Sequence, residues 1–182
     1  MIKEFSVKLK ATNGKARTAF IASMVIAFAF IAVSSFIPLY HGVVALVGMV
    51  FLVAAVTLYT KYVSPIYYYD ITFDCEGTPL LVVRQIIGKR QTTLCRIGLA
   101  EVVKFEREDR EARRNHKTPY GFIKYVYTPT LDPELTYRIT TMTRYEKSEL
   151  VIEINDSLAE MLKAYSSEAR EMKAFADEEE EY

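Results

Sequence analysis

From Thr18 to Thr60 the chain carries no Asp, Glu, Lys or Arg. This apolar block divides into TAFIASMVIAFAFIAVSSFIPLY (18–40) and VVALVGMVFLVAAVTLYTKYV (43–63), separated by His41-Gly42. A helix rises about 1.5 Å per residue, so about 20 apolar residues cross a hydrocarbon core of about 30 Å. Each half meets that length. Inside lipid each must satisfy its own backbone hydrogen bonds, which predicts two continuous spanning helices. Pro38 falls near the outer end of the first, where a kink costs little. Two alternatives are a pair of buried soluble helices and a signal peptide cleaved near Ala32-Val33-Ser34. Soluble core helices seldom run beyond about 18 residues without a charge, and the apolar run is too long for a signal core.

From residue 64 the period changes to two. IYYYDITFD (66–74) places Tyr67, Tyr69, Ile71 and Phe73 on one face, and LLVVRQIIG (80–88) does the same with Leu81, Val83 and Ile87. QTTLC (91–95), VVKFERE (102–108), FIKYVYTP (122–129), LTYRITTMTR (135–144) and LVIEIN (150–155) follow, the last with Leu150, Ile152 and Ile154 inward. Such alternation, rich in Val, Ile, Thr, Tyr and Phe, predicts about seven strands. Breaks at Glu76-Gly77-Thr78-Pro79, Asp132-Pro133 and Glu146-Lys147-Ser148 suit turns. The period then becomes helical: Leu158, Met161, Leu162, Tyr165, Ala169, Met172 and Phe175 form one apolar stripe, with Lys163, Arg170 and Glu171 off it. Ser157 is the expected cap, with Glu160 reaching back. The acidic run Asp177–Glu181 is expected to fray into solvent.

Charge adds orientation. The totals balance at 23 basic and 23 acidic residues, but Lys3, Lys8, Lys10, Lys15 and Arg17 precede the first span and Lys61 ends the second. The turn near His41 has no Lys or Arg, so both termini are expected in the cytoplasm. Tyr59 and Tyr62 then suit the inner interface and Tyr40 the outer one. The organisation read from these patterns is a basic cytoplasmic N-terminus (1–17), a transmembrane hairpin (18–63), a cytoplasmic domain (64–176) and an acidic tail (177–182). Cys75 and Cys95 would be free thiols in a reducing compartment, and two isolated cysteines make no metal site.

About seven antiparallel strands closed by an amphipathic C-terminal helix is a pleckstrin-homology-like (PH-like) layout, an α+β cytoplasmic domain behind a membrane α-hairpin. The run Tyr68–Phe105, and especially TLCRIGLAEVVKFE (93–106), resembles bacterial PH-like domains, in which an Ile-x-Leu step precedes spaced valines. A tyrosine-rich first strand directly after a two-span hairpin is similar to membrane-anchored PH-like domain proteins of Gram-positive bacteria. The resemblance covers 18 to about 175 and implies a closed β-barrel. Many eukaryotic PH domains grip phosphoinositides through a basic first hairpin. Here that hairpin, Asp74-Cys75-Glu76-Gly77-Thr78, is acidic, so phosphoinositide binding does not carry over.

One stretch invites a nucleotide reading. RQIIGKRQTTLC (84–95) holds Gly88-Lys89-Arg90, but a phosphate loop needs an earlier glycine where Val83 stands and a hydroxyl where Arg90 stands. Gly88 instead fits the first central position of a type II′ hairpin. Arg84, Lys89, Arg90 and Arg96 near that hairpin, and Arg113 and Arg114 in the segment FEREDREARRNHKTPYG (105–121), are the candidate contacts to lipid headgroups or a partner. That segment is read as a flexible insertion, with His116 solvated. Its mixed signs disfavour nucleic acid. No catalytic, cofactor or metal motif is found, since Gly-x-Ser-x-Gly, His-Glu-x-x-His and Cys-x-x-Cys are all missing. Charged residues within the spans, the usual mark of transport, are missing too. Ala19, Ser23 and Ala27 repeat at four-residue steps, a small-residue face that Gly48 can meet. The expected function is a membrane-anchored interaction or scaffold module bound to a protein partner or to itself. The alternatives are an anionic-lipid sensor and an auxiliary subunit of a membrane complex.

Overall fold

The computed structural model describes residues 5–9, 14–75, 77–143 and 146–180. Lys3, Lys10, Glu76, Arg144 and Glu181, used in the readings above, lie outside the described residues. The chain forms two compact units, one from Ala11–Pro65 and the other from Met1–Lys10 with Ile66–Tyr182.

The first unit is a helical hairpin. Helices α1 (Gly14–Ser34) and α2 (His41–Leu58, continued by a π turn over Tyr59–Val63) are each long and apolar enough to cross a membrane. The first helix starts and stops earlier than the 18–40 expected. Pro38 lies outside it, opening a short 3-10 turn (Pro38–Tyr40) where its missing N–H costs nothing. The turn is closed at Ser34, whose Oγ donates to Ile31 O at 2.7 Å and whose carbonyl lies 2.8 Å from His41 Nδ1. The small-residue face is used at Ala27, which is fully buried, and Gly48 is buried against it. Phe30 and Phe51 stack with ring centroids 6.1 Å apart. On the flanks Val25, Phe28, Leu46 and Val53 are each more than half exposed. Open apolar flanks of this kind suit lipid and not a soluble core.

The second unit contains two four-stranded sheets. The first has the order β1-β2-β3-β4, built from Phe5–Leu9, Ile66–Phe73, Pro79–Ile87 and Arg90–Gly98, all antiparallel. The second has the order β5-β7-β8-β6, built from Val102–Asp109, Leu135–Met142, Lys147–Ile152 and Ile123–Tyr127. Helix α4 (Asp156–Glu180) follows. The inward faces expected from alternation supply the core: Tyr69, Ile71, Leu81, Val83, Leu150 and Ile152 are almost wholly buried together with Leu158 and Leu162 of α4. Ile87 departs from this pattern. It sits at the hairpin mouth and is exposed.

Four expectations are corrected. There are eight strands among the described residues, because Phe5–Leu9 pairs with β2 in the register Phe5↔Ile71 to Leu9↔Tyr67. The layout is not wholly antiparallel, because β6 runs parallel to β8, and the two sheets share no ladder that would close a barrel. β5 and β6 run in the same direction at opposite edges of this sheet, and consecutive strands so arranged need a crossover of a dozen or more residues, which residues 110–122 supply. That segment is therefore not a loose insertion. It starts with α3 (Arg110–Asn115), capped by Asp109, whose Oδ1 accepts from Ala112 N at 2.7 Å. Finally, α4 is capped two residues earlier than expected, since Asn155 Oδ1 accepts from Leu158 N at 3.0 Å, and it continues helical through Glu180 instead of fraying at Asp177.

Candidate functional site: a basic hairpin tip, an inter-sheet cleft and a buried ion cluster

Strands β3 and β4 are joined by Gly88-Lys89 alone, with Ile87 paired to Arg90. Gly88 has φ +60°, and Lys89 has no positive φ. A positive φ at the first central residue only is the type II′ turn, the geometry that glycine adopts without a Cβ clash. The tip projects past the core, and Gly88, Lys89 and Arg90 are all exposed.

The six candidate basic residues do not converge. Arg84 pairs with Asp70, which is buried on the neighbouring strand. Arg96 lies opposite Val82, six residues along β4 from Arg90, or roughly 20 Å at about 3.3 Å per residue. That is about twice the Debye length at 0.1 M salt, so the tip acts as a pair, Lys89 and Arg90. Arg113 turns inward, donating to Pro133 O at 3.0 Å and to Asp132 Oδ1 at 2.9 Å. Arg110 approaches the other Asp132 oxygen at 3.0 Å and Arg114 approaches it at 3.7 Å. These arginines fasten α3 to the 128–134 connection. Arg114, with its side chain 70% exposed, keeps most of its surface in solvent.

Between the sheets runs a cleft of about 300 Å³, bordered by Leu94–Ile97 of β4 and by Tyr125, Tyr127, Thr141 and Ser148 of the second sheet. Its floor is stitched by tyrosines. Tyr69 donates to Tyr127 O at 2.7 Å, and Tyr127 donates to Leu94 O at 3.3 Å. Leu94 is the residue left unpaired by the β-bulge at Val83/Arg84, so its carbonyl is open to that donor. Burial, reinforced by the charge of Glu153, pushes the Tyr69 hydroxyl far above the ordinary tyrosine range, which keeps it a neutral donor. Cys95, also in the cleft, is pushed up to about 11, first by burial and then by Glu146. At pH 8 roughly one such thiol in a thousand is ionised. Maleimide or iodoacetamide should therefore label exposed Cys75 rapidly and Cys95 roughly a hundredfold more slowly than an ordinary exposed thiol. Peptide mapping of a timed alkylation checks this, and equal rates would contradict the cleft as described.

The strongest electrostatic feature escaped the sequence reading. Arg138 on β7, 1% exposed, donates to Glu108 Oε2 on β5 at 2.8 Å and to Glu149 Oε2 on β8 at 3.3 Å. His116, expected in solvent, lies with Nε2 3.1 Å from Glu149 Oε1. Four elements thus meet at one charged cluster inside the second sheet. Its members are spread over 42 positions of sequence with no motif spacing, so only strand register reveals it: Glu106↔Arg138 and Thr140↔Glu149 are the directly opposed pairs, and the cluster forms diagonally. The cluster holds two carboxylates against one guanidinium and an imidazole. Its burial and its ion pairing across three adjacent strands make it a device for fixing strand identity and register. No protein-family model, curated protein or solved structure matches this chain.

Proposed function

We propose that this chain is a membrane-anchored interaction module, in which the α1–α2 hairpin tethers a PH-like β unit at the cytoplasmic face. An antiparallel meander of three strands, β2, β3 and β4, followed by a second sheet and a C-terminal helix supports the PH-like reading, with β1 and the parallel β6 as departures from that pattern. The basic flanks of the hairpin, Lys15, Arg17 and Lys61, support cytoplasmic termini. Catalysis has no part in this reading, and the cleft thiol Cys95, held at about 11, is poorly suited to nucleophilic attack.

The observation that carries the interaction role is the edge of β6. It pairs only with β8 among the described residues, and it leaves Ile123 49% and Val126 43% exposed. An apolar strand with one unpaired edge is a template for another strand. The occupant is a protein partner or a second copy of the chain. A photo-crosslinker placed at Lys124, exposed on the same strand, should give a discrete adduct in native membranes, and Ile123→Asp with Val126→Asp should abolish it without lowering the melting temperature. Strictly monomeric protein with no adduct would refute the reading. Topology is tested separately: a cysteine at residue 41 should label from outside intact cells and Cys75 should not.

A second reading has its own observation. Lys89 and Arg90 stand exposed at the hairpin tip, and each basic group near an anionic surface contributes about 1 kcal/mol. The sum is enough to bias the tip toward such a surface and too little to anchor it.

A further inference from the structure

Three clefts of the β unit differ in charge. The first, about 550 Å³, is lined by Asp74, Glu101 and Lys173, and the inter-sheet cleft by Arg96, Glu101 and Glu146. Each carries more carboxylate than cation. The third, about 310 Å³, lies between the start of β5 and the middle of α4. It is lined by Lys163, Ser166, Ser167 and Arg170 against Val102, Val103 and Phe105, with no acidic residue. Residues 163, 166, 167 and 170 follow the i, i+3, i+4, i+7 spacing that puts side chains on one helix face. The acids nearest these positions on the same helix, Glu160, Glu168 and Glu171, stand outside the lining.

The polar groups here are prepared but unused. Ser166 is 2% exposed, and its buried Oγ has no hydrogen-bond partner. A serine inside a helix ordinarily donates back to the carbonyl four residues earlier, and an orphaned buried hydroxyl is uncommon. Arg170 uses Nε on Ser166 O at 3.2 Å, which holds the guanidinium along the cleft. Lys163 Nζ sits 5.5 Å from the centre of the Phe105 ring, a cation–π contact that keeps the ammonium at the wall. Neither cation has an acidic partner among the described residues. A guanidinium, an ammonium and a hydroxyl are the donors that phosphate oxygens accept from.

We infer that the β5–α4 cleft binds a phosphate-bearing anion, with Lys163 and Arg170 supplying charge and Ser166 a buried hydrogen bond. Its volume is at the small end of ligand sites, roughly 300 to 1,000 Å³, and leaves ample room for a phosphate group. The exposed Val103 beside it adds an apolar wall, so the phosphate is either free or the head of a lipid. The site is separate from the β6 edge and from the hairpin tip, and it stands or falls independently of both.

The test uses the full chain in maltoside micelles, which contain no phosphate, with thermal unfolding as the readout. One arm titrates inorganic phosphate against chloride at matched ionic strength, and the other adds phosphatidic acid against diacylglycerol. A ligand that binds only the folded state raises the melting temperature in a saturable way. A rise in the first arm assigns free phosphate, and a rise in the second arm alone assigns the lipid head. In either case Lys163→Gln with Arg170→Gln should abolish the rise. Ser166→Ala should weaken apparent affinity about tenfold, as expected for losing a hydrogen bond to a charged group, while melting no lower than wild type without ligand. Lys89→Gln with Arg90→Gln should leave the rise unchanged. No saturable rise in either arm, or a rise that survives the Lys163/Arg170 change or is lost with Lys89/Arg90, overturns the assignment.

Discussion

Replacing Arg138 by Met is expected to lower the unfolding free energy of the β unit by about 3–5 kcal/mol, the usual cost of removing one partner from a buried ion cluster. The reason is what remains. Glu108 and Glu149 are 7% and 3% exposed, and without Arg138 they face each other across β7 as two desolvated carboxylates with only His116 beside one of them. Methionine fills most of the volume, so the loss is electrostatic and not a cavity effect. For a chain of this size 1 kcal/mol shifts the melting temperature by about 2–4 °C, so a drop of roughly 10 °C or more is expected. Denaturant titration of the full chain in detergent measures it. A change below about 1 kcal/mol would mean that the cluster is solvated and the register argument is wrong.

The same substitution made together with Glu108→Leu and Glu149→Leu separates two meanings of the cluster. Replacing a whole buried ion group with apolar residues is often neutral or stabilising, because the desolvation cost disappears with the charges. The triple variant should therefore recover most of the lost stability. Any remaining defect should be one of pairing, with slower or heterogeneous folding of β5, β7 and β8, since the apolar version no longer distinguishes one register from another.

How far the sequence revealed this molecule depended on the range of the interactions. The two long apolar helices were legible because a long uncharged run has few physical solutions, and the strands from residue 66 onward because alternation is a local property. Gly88-Lys89 was legible for the same reason, since a II′ turn is specified by two residues. Phe5–Leu9 was missed because FSVKL is short and lies in a basic stretch, and it becomes a strand only by pairing with β2, some 60 positions away. The parallel placement of β6 is likewise a decision of the crossover, and the mixed charges of 105–121 concealed the Asp109 cap and the Asp132 anchor that order it. Among the candidate site residues, composition placed Lys89 and Arg90 side by side, and the turn leaves both exposed. It could not show that Arg84 and Arg113 are committed to Asp70 and Asp132. The Lys163–Arg170 stripe read simply as the polar side of a helix, because the orphaned Ser166 hydroxyl is visible only after packing.

Gly48→Leu should separate the two long apolar helices, α1 and α2. A Cβ at this position would stand 3.1 Å from Ala27 O and 3.3 Å from Ile31 N, both backbone atoms of α1, and 2.9 Å from Ile31 Cγ1. The side-chain contact can yield by rotation, but the backbone contacts yield only if the helices move apart. In lipid the pairing relies on such close approach, because the tails are as apolar as the side chains and no hydrophobic term holds the helices together. Overpacking of this kind costs about 1–3 kcal/mol, which corresponds to roughly a 5- to 150-fold shift in the pairing equilibrium. Cysteines at positions 30 and 51, where the rings now stack at 6.1 Å, report it in a background with Cys75 and Cys95 replaced by Ala. Their crosslinking should be efficient with Gly48, reduced with Gly48→Ala and largely lost with Gly48→Leu. Gly42→Leu, where a Cβ meets nothing within 4 Å, should crosslink like the parent. If Gly48→Leu crosslinks equally well, α1 and α2 are held together by their loop and not by this contact.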